Sequence, residues 1–75
     1  MKRSLLTAKE NDMDRLQMHV QNRLGSLVRD LRLETSERGL VIQGNAHTYY
    51  GKQLALQYVK EASQIPILAN EIVVL

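Results

Sequence analysis

Cysteine is absent from this chain of 75 residues, so no disulfide and no thiolate metal site can brace the fold. That leaves packing to stabilise a single small domain, which at this length buries only about 60% of the surface its unfolded chain exposes. Self-association is the other source of stability open to a core this small. The absence of cysteine also fits a reducing compartment. Long apolar runs are missing too, and nothing approaches the roughly 18 continuous apolar residues of a membrane span. Met1-Lys2-Arg3-Ser4-Leu5-Leu6 opens like an export signal, yet its apolar stretch ends before Lys9, Glu10 and Asp12. A signal needs about 7–15 apolar residues there, so the expected location is cytoplasmic, with association at the envelope left open.

A third absence is a basic surface. The net charge is +2 with ten Lys/Arg against eight Asp/Glu. Basic residues alternate with acids in Arg29-Asp30, Arg32-x-Glu34 and Glu37-Arg38, as on a solvated surface. A nucleic-acid footprint would gather them on one face. No Gly-x-x-Gly loop is present to grip a nucleic-acid backbone. These two gaps leave a KH-like nucleic-acid reading as a distant alternative.

What is present is clear periodicity. Residues 1–11 read as a flexible lead-in to a domain over 12–75, although Thr7-x-x-Glu10 has the form of a capping box and Asp12 is a competing cap. Met13, Leu16, Val20, Leu24 and Leu27 then fall within an arc of about 80° on a helix, and Gly25 is placed to end it. Arg29 to Thr35 alternate, with Leu31 and Leu33 on one side, as in a half-buried strand. Ser36-Glu37-Arg38-Gly39 supplies a turn. The returning strand Leu40–Ala46 directs Leu40, Ile42, Gly44 and Ala46 inward, with Gly44 expected where a helix passes close. Thr48 is placed to cap a second helix over Tyr49–Ser63, with Gly51, Leu54, Ala55, Tyr58 and Ala62 buried and Val59 flanking them. Pro66 lies in a return loop over Gln64–Ala69. Asn70–Leu75 reads as a closing strand with Ile72 and Val74 inward.

The expected fold is therefore α+β: an αββαβ two-layer sandwich, its three-stranded mixed sheet carrying both helices on one face. The hairpin makes the first two strands antiparallel and the helical crossover makes the last strand parallel to the second. The first strand is expected to be central.

That order of elements, with Leu40-x-Ile42-x-Gly44-x-Ala46, the return segment Ile65-Pro66-Ile67-Leu68 and the closing Asn70-x-Ile72-x-Val74, resembles the BON domain family over residues 13–75. The string His47-Thr48-Tyr49-Tyr50-Gly51-Lys52-Gln53-Leu54-Ala55 is similar to BON-like proteins of planctomycete bacteria. The acidic stretch usual at the start of the family's second helix is replaced here by Thr48-Tyr49-Tyr50-Gly51-Lys52. The resemblance implies a non-enzymatic module that binds phospholipid surfaces or other macromolecules.

No catalytic residues, metal ligands or cofactor are expected. His47 next to Thr48 lacks the third group that would orient a base, and Thr48 is better used as a cap. His19 and His47 have no further donors at metal-ligand spacing. Two surfaces remain. Val41, Val73 and Leu75 are expected on the sheet face that the helices leave open, a place for self-association or a protein partner. Tyr49, Lys52, Leu56 and Lys60 are expected on the outer side of the second helix, where an acidic partner or an anionic headgroup would sit. No small-molecule substrate is evident.

Overall fold

The computed structural model describes the backbone from Arg3 to Leu75 and the side chains from Met13 onward. The capping box at Thr7 and Glu10, and the lead-in over residues 1–11, therefore fall on residues whose side chains lie outside the description. The order is α1 (Arg3–Leu24), a single 3₁₀ turn (Gly25–Leu27), β1 (Val28–Ser36), β2 (Gly39–Ala46), α2 (Tyr49–Ala62), β3 (Ile67–Asn70) and β4 (Val73–Val74). β1 and β2 form an antiparallel hairpin, while β3 and β4 are successive pieces of one strand line that pairs parallel to β2. The α+β architecture is thus a mixed sheet with two helices.

Both helices and all three strand lines contribute to one core of Val20, Leu24, Val28, Leu31, Leu33, Leu40, Ile42, Ala46, Ala55, Val59 and Ile72. Gly25 ends α1 with a positive φ of 56°, a conformation glycine takes without the Cβ penalty. Thr48 caps α2, its Oγ1 accepting from the Gly51 N–H at 3.1 Å.

Several expectations need correction. The central strand is β2, not the first strand. The reason lies in α1. The outward N–H groups of Leu31 and Leu33 on β1 donate to Gln21 Oε1 and Gln17 Oε1, each at 3.0 Å, and Gln21 Nε2 donates to the Val28 carbonyl at 2.6 Å. Two helix side chains thus substitute for a neighbouring strand at the β1 edge, and the crossover has only the far side of β2 left to fill. Covering an edge in this way is one means by which proteins block unwanted strand pairing. Gln21→Leu is expected to destabilise the domain by about 1–3 kcal/mol, because it orphans a partly buried N–H and C=O together. Chemical denaturation would measure the loss, and faster amide exchange at Leu31 would locate it.

β1 also begins one residue earlier than expected and carries a bulge between Arg29 and Arg32, with Asp30 at φ 57°. The extra residue carries the buried set from Val28 to Leu31 rather than to an i+2 position. Val28 takes the fully buried place that the helical stripe gave to Leu27, which sits in the 3₁₀ turn and is 37% exposed.

The close helix approach expected at Gly44 falls at a different glycine. Gly44 is not under a helix: a Cβ there would meet the Arg29 carbonyl oxygen at 3.1 Å and Val28 Cγ1 at 3.2 Å, on the bulge of β1. The helix instead approaches at Gly51, where a Cβ would lie 2.7 Å from the Leu27 carbonyl oxygen and 3.5 Å from Ala46 Cβ.

The closing strand starts earlier than expected and is broken. Ile67 to Asn70 pair with β2, and Asn70 ends this piece instead of opening it. Its Oδ1 accepts from the Ile72 N–H at 3.2 Å, and its Nδ2 donates to the Lys52 carbonyl of α2 at 3.0 Å. This Asn-centred turn drives Ile72 into the core, at 2% exposure. Pairing resumes at Val73 and Val74, but Val74, expected inward, stays exposed beyond the end of the core.

Candidate interaction surface

Strand pairing fixes what the reverse of the sheet presents, because paired residues share a face. Leu33 and Asn70 flank Ile42 on the helix-covered side. The intervening residues point the other way, in three rows. Glu34, Val41 and Ala69 form the first, beside the hairpin turn. Arg32 and Gln43 form the second with Glu71, whose Oε1 accepts from Gln43 Nε2 at 3.2 Å. Arg29, Asn45 and Val73 form the third. Leu75 follows Val73 by two residues, with its N–H donated to the Ala46 carbonyl at 2.8 Å.

Val41, Val73 and Leu75 thus share one face. Val73 is 53% and Leu75 72% exposed, while Val41 is half-buried. They do not form one continuous patch. Val41 and Val73 lie two rows apart, about 13 Å along the strands, with the polar row of Arg32, Gln43 and Glu71 between them. The face is better described as amphipathic, each row offering a central side chain between its outer members.

The outer side of α2 is less coherent. Gly51, Ala55 and Val59 form its fully buried row, and Leu56 packs against the core instead of facing out. Three residues separate Leu56 from Val59, which sets the two only about 60° apart around the helix, so Leu56 belongs to the flank of the buried row. Tyr49 and Lys60 are exposed, whereas Lys52 is half-buried. The Tyr49 hydroxyl accepts from Gln53 Nε2 at 2.6 Å. Ala62, expected in the buried arc, is exposed at the end of the helix. On the opposite flank Tyr58 lies under the Arg23 guanidinium, 3.9 Å from ring centroid to Cζ, and Arg23 also reaches Glu61 at 3.6 Å. These contacts tie α2 to α1, and an exposed ion pair of this kind contributes about 0–1 kcal/mol at most.

His47 is exposed and Thr48 is engaged as the helix cap, so the two do not form a nucleophile–base pair. His19 lines a shallow, open groove with Arg15, Leu16 and Ala62. Among the described residues no group of three or more His, Cys, Asp or Glu is placed to hold a metal ion, and no helix is long and apolar enough to cross a membrane. Sequence reasoning missed Gln17 and Gln21. Their spacing of four, on the flank of the Leu16–Val20–Leu24 stripe, is the signal that marks them. No family model matches the chain, and neither a curated protein nor a solved structure matches it.

Proposed function

We propose that this chain is a non-enzymatic interaction module that uses its uncovered sheet face to bind protein, either a second copy or another chain. The supporting observation is the placement of Val41, Val73 and Leu75 on a face that neither helix covers. Burying their exposed area at about 25 cal/mol per Å² contributes a few kcal/mol to an association. The resemblance to BON domains, carried by the order of the elements and the motifs around Gly44 and Asn70, supports the same class of function.

Headgroup binding by α2 is less well supported, because the inward Leu56 leaves Lys52 and Lys60 without an apolar anchor between them. Nucleic-acid binding has neither a gripping loop nor a clustered positive surface behind it.

Immobilised wild type, Val73→Lys and Lys60→Glu proteins distinguish these readings. Association is expected to survive Lys60→Glu and to be lost with Val73→Lys. The opposite pattern, with co-sedimentation on anionic vesicles lost in Lys52→Glu/Lys60→Glu, would move the function to α2.

A further inference from the structure

We infer that the occupant of the sheet face is a second copy of this chain, related by a two-fold axis parallel to β2. The inference rests on the sheet-face reading above and adds the partner and its orientation. The middle row carries its argument: Arg32 on one side, Gln43 at the centre and Glu71 on the other. Rotation about an axis along β2 exchanges the outer strands while keeping β2 over β2, so Arg32 of each copy meets the partner's Glu71. The row is complementary to itself, as an isologous interface requires.

The same operation sets Glu34, in the row beside the hairpin turn, over the partner's Ala69. Val41 stacks on the partner's Val41, and the stem of Arg29 lies over the partner's Val73. Asn45 meets the partner's Asn45, where two amides can each donate and accept. An axis perpendicular to the strands would instead set Arg32 on the partner's Arg32 and Glu71 on the partner's Glu71, and like charges facing one another exclude that arrangement. Within the chain, Arg32 and Glu71 have no ion-pair partner among the described residues, while the bond from Gln43 holds the Glu71 carboxylate over the face. Both groups are therefore free to pair across an interface.

The face is three strands wide and about five residues long, or roughly 15 by 17 Å from strand spacing and rise. That is smaller than the roughly 800 Å² per partner typical of stable complexes, so the dimer is expected to dissociate on dilution.

Sedimentation equilibrium of the wild type, Arg32→Glu, Glu71→Arg and the double reversal Arg32→Glu/Glu71→Arg tests the arrangement. Both positions are exposed, and circular dichroism would verify that each variant folds. Each single reversal is expected to weaken dimerisation about tenfold or more, as close interfacial charge pairs do, and the double reversal to restore it. A wild type that remains monomeric at about 1 mM, a concentration at which even a weak interface is populated, would overturn the second-copy inference. So would single reversals without effect, or a double reversal that fails to rescue. If Val73→Lys abolishes association while the charge reversals leave it unchanged, this arrangement falls and the sheet-face reading stands.

Discussion

Ile42→Ala is expected to destabilise the domain by about 2–5 kcal/mol, the usual cost of emptying a fully packed aliphatic site. Ile42 is fully buried on the central strand, flanked by Leu33 on one side and Asn70 on the other. Its loss opens a cavity where the two outer strand lines meet the central one. A domain of this length has a total stability of roughly 4–11 kcal/mol, so the variant is expected to be substantially unfolded near body temperature. Val41→Ala, one residue away on the opposite face, is the control and should cost about 1 kcal/mol or less, since its side chain is only half-buried. Thermal unfolding of the pair reads the alternation directly, with about 4–8 °C of midpoint for each kcal/mol in a domain of this size.

Gly51→Ala separates two opposing effects by sign. Helix propensity alone favours alanine over glycine by about 1 kcal/mol. The added Cβ, however, would stand 2.7 Å from the Leu27 carbonyl oxygen, closer than nonbonded contact allows. The obstacle is backbone, in the turn that joins α1 to β1, and cannot swing aside as a long side chain would. Forcing it apart is expected to cost about 1–3 kcal/mol net, the range for overpacked sites. Denaturant titration measures this loss, and a more stable variant would mean that α2 does not approach the sheet at this point.

The alternation of apolar residues made much of the fold legible. Leu31 and Leu33, then Leu40 and Ile42, repeat at a period of two, and each pair is buried as that period requires. Thr48 and Gly25 were legible because capping and helix termination depend on local chemistry. Register was not legible, because it depends on interruptions that leave little trace in the pattern. The bulge at Asp30 hides Val28 from an alternation count, and the turn at Asn70 breaks the closing strand ahead of Ile72. Strand order was hidden for a different reason. It depends on Gln17 and Gln21 reaching backbone groups far along the chain, which no local pattern encodes.

The candidate surface was legible only in part. Val41, Val73 and Leu75 share the face that alternation predicts, because parity along each strand survives from Ile42 and Ile72 outward. Their separation by Arg32, Gln43 and Glu71 depends on how strands align, and that alignment became readable only with the pairing known. Leu56 lies further inward than expected because the expected buried arc of α2 runs from Leu54 to Ala55 and is centred between Tyr58 and Gly51. Its fully buried row instead follows Gly51, Ala55 and Val59, the small residues that allow close approach to the sheet.

Methyl relaxation by a soluble paramagnetic probe, recorded on dilute protein, tests the layering most directly. The Ile42 and Ile72 methyls should be protected while those of Val73 and Leu75 are strongly broadened. Protected Val73 and Leu75 methyls in the dilute monomer, or a broadened Ile42, would contradict a sheet covered on one side and bare on the other.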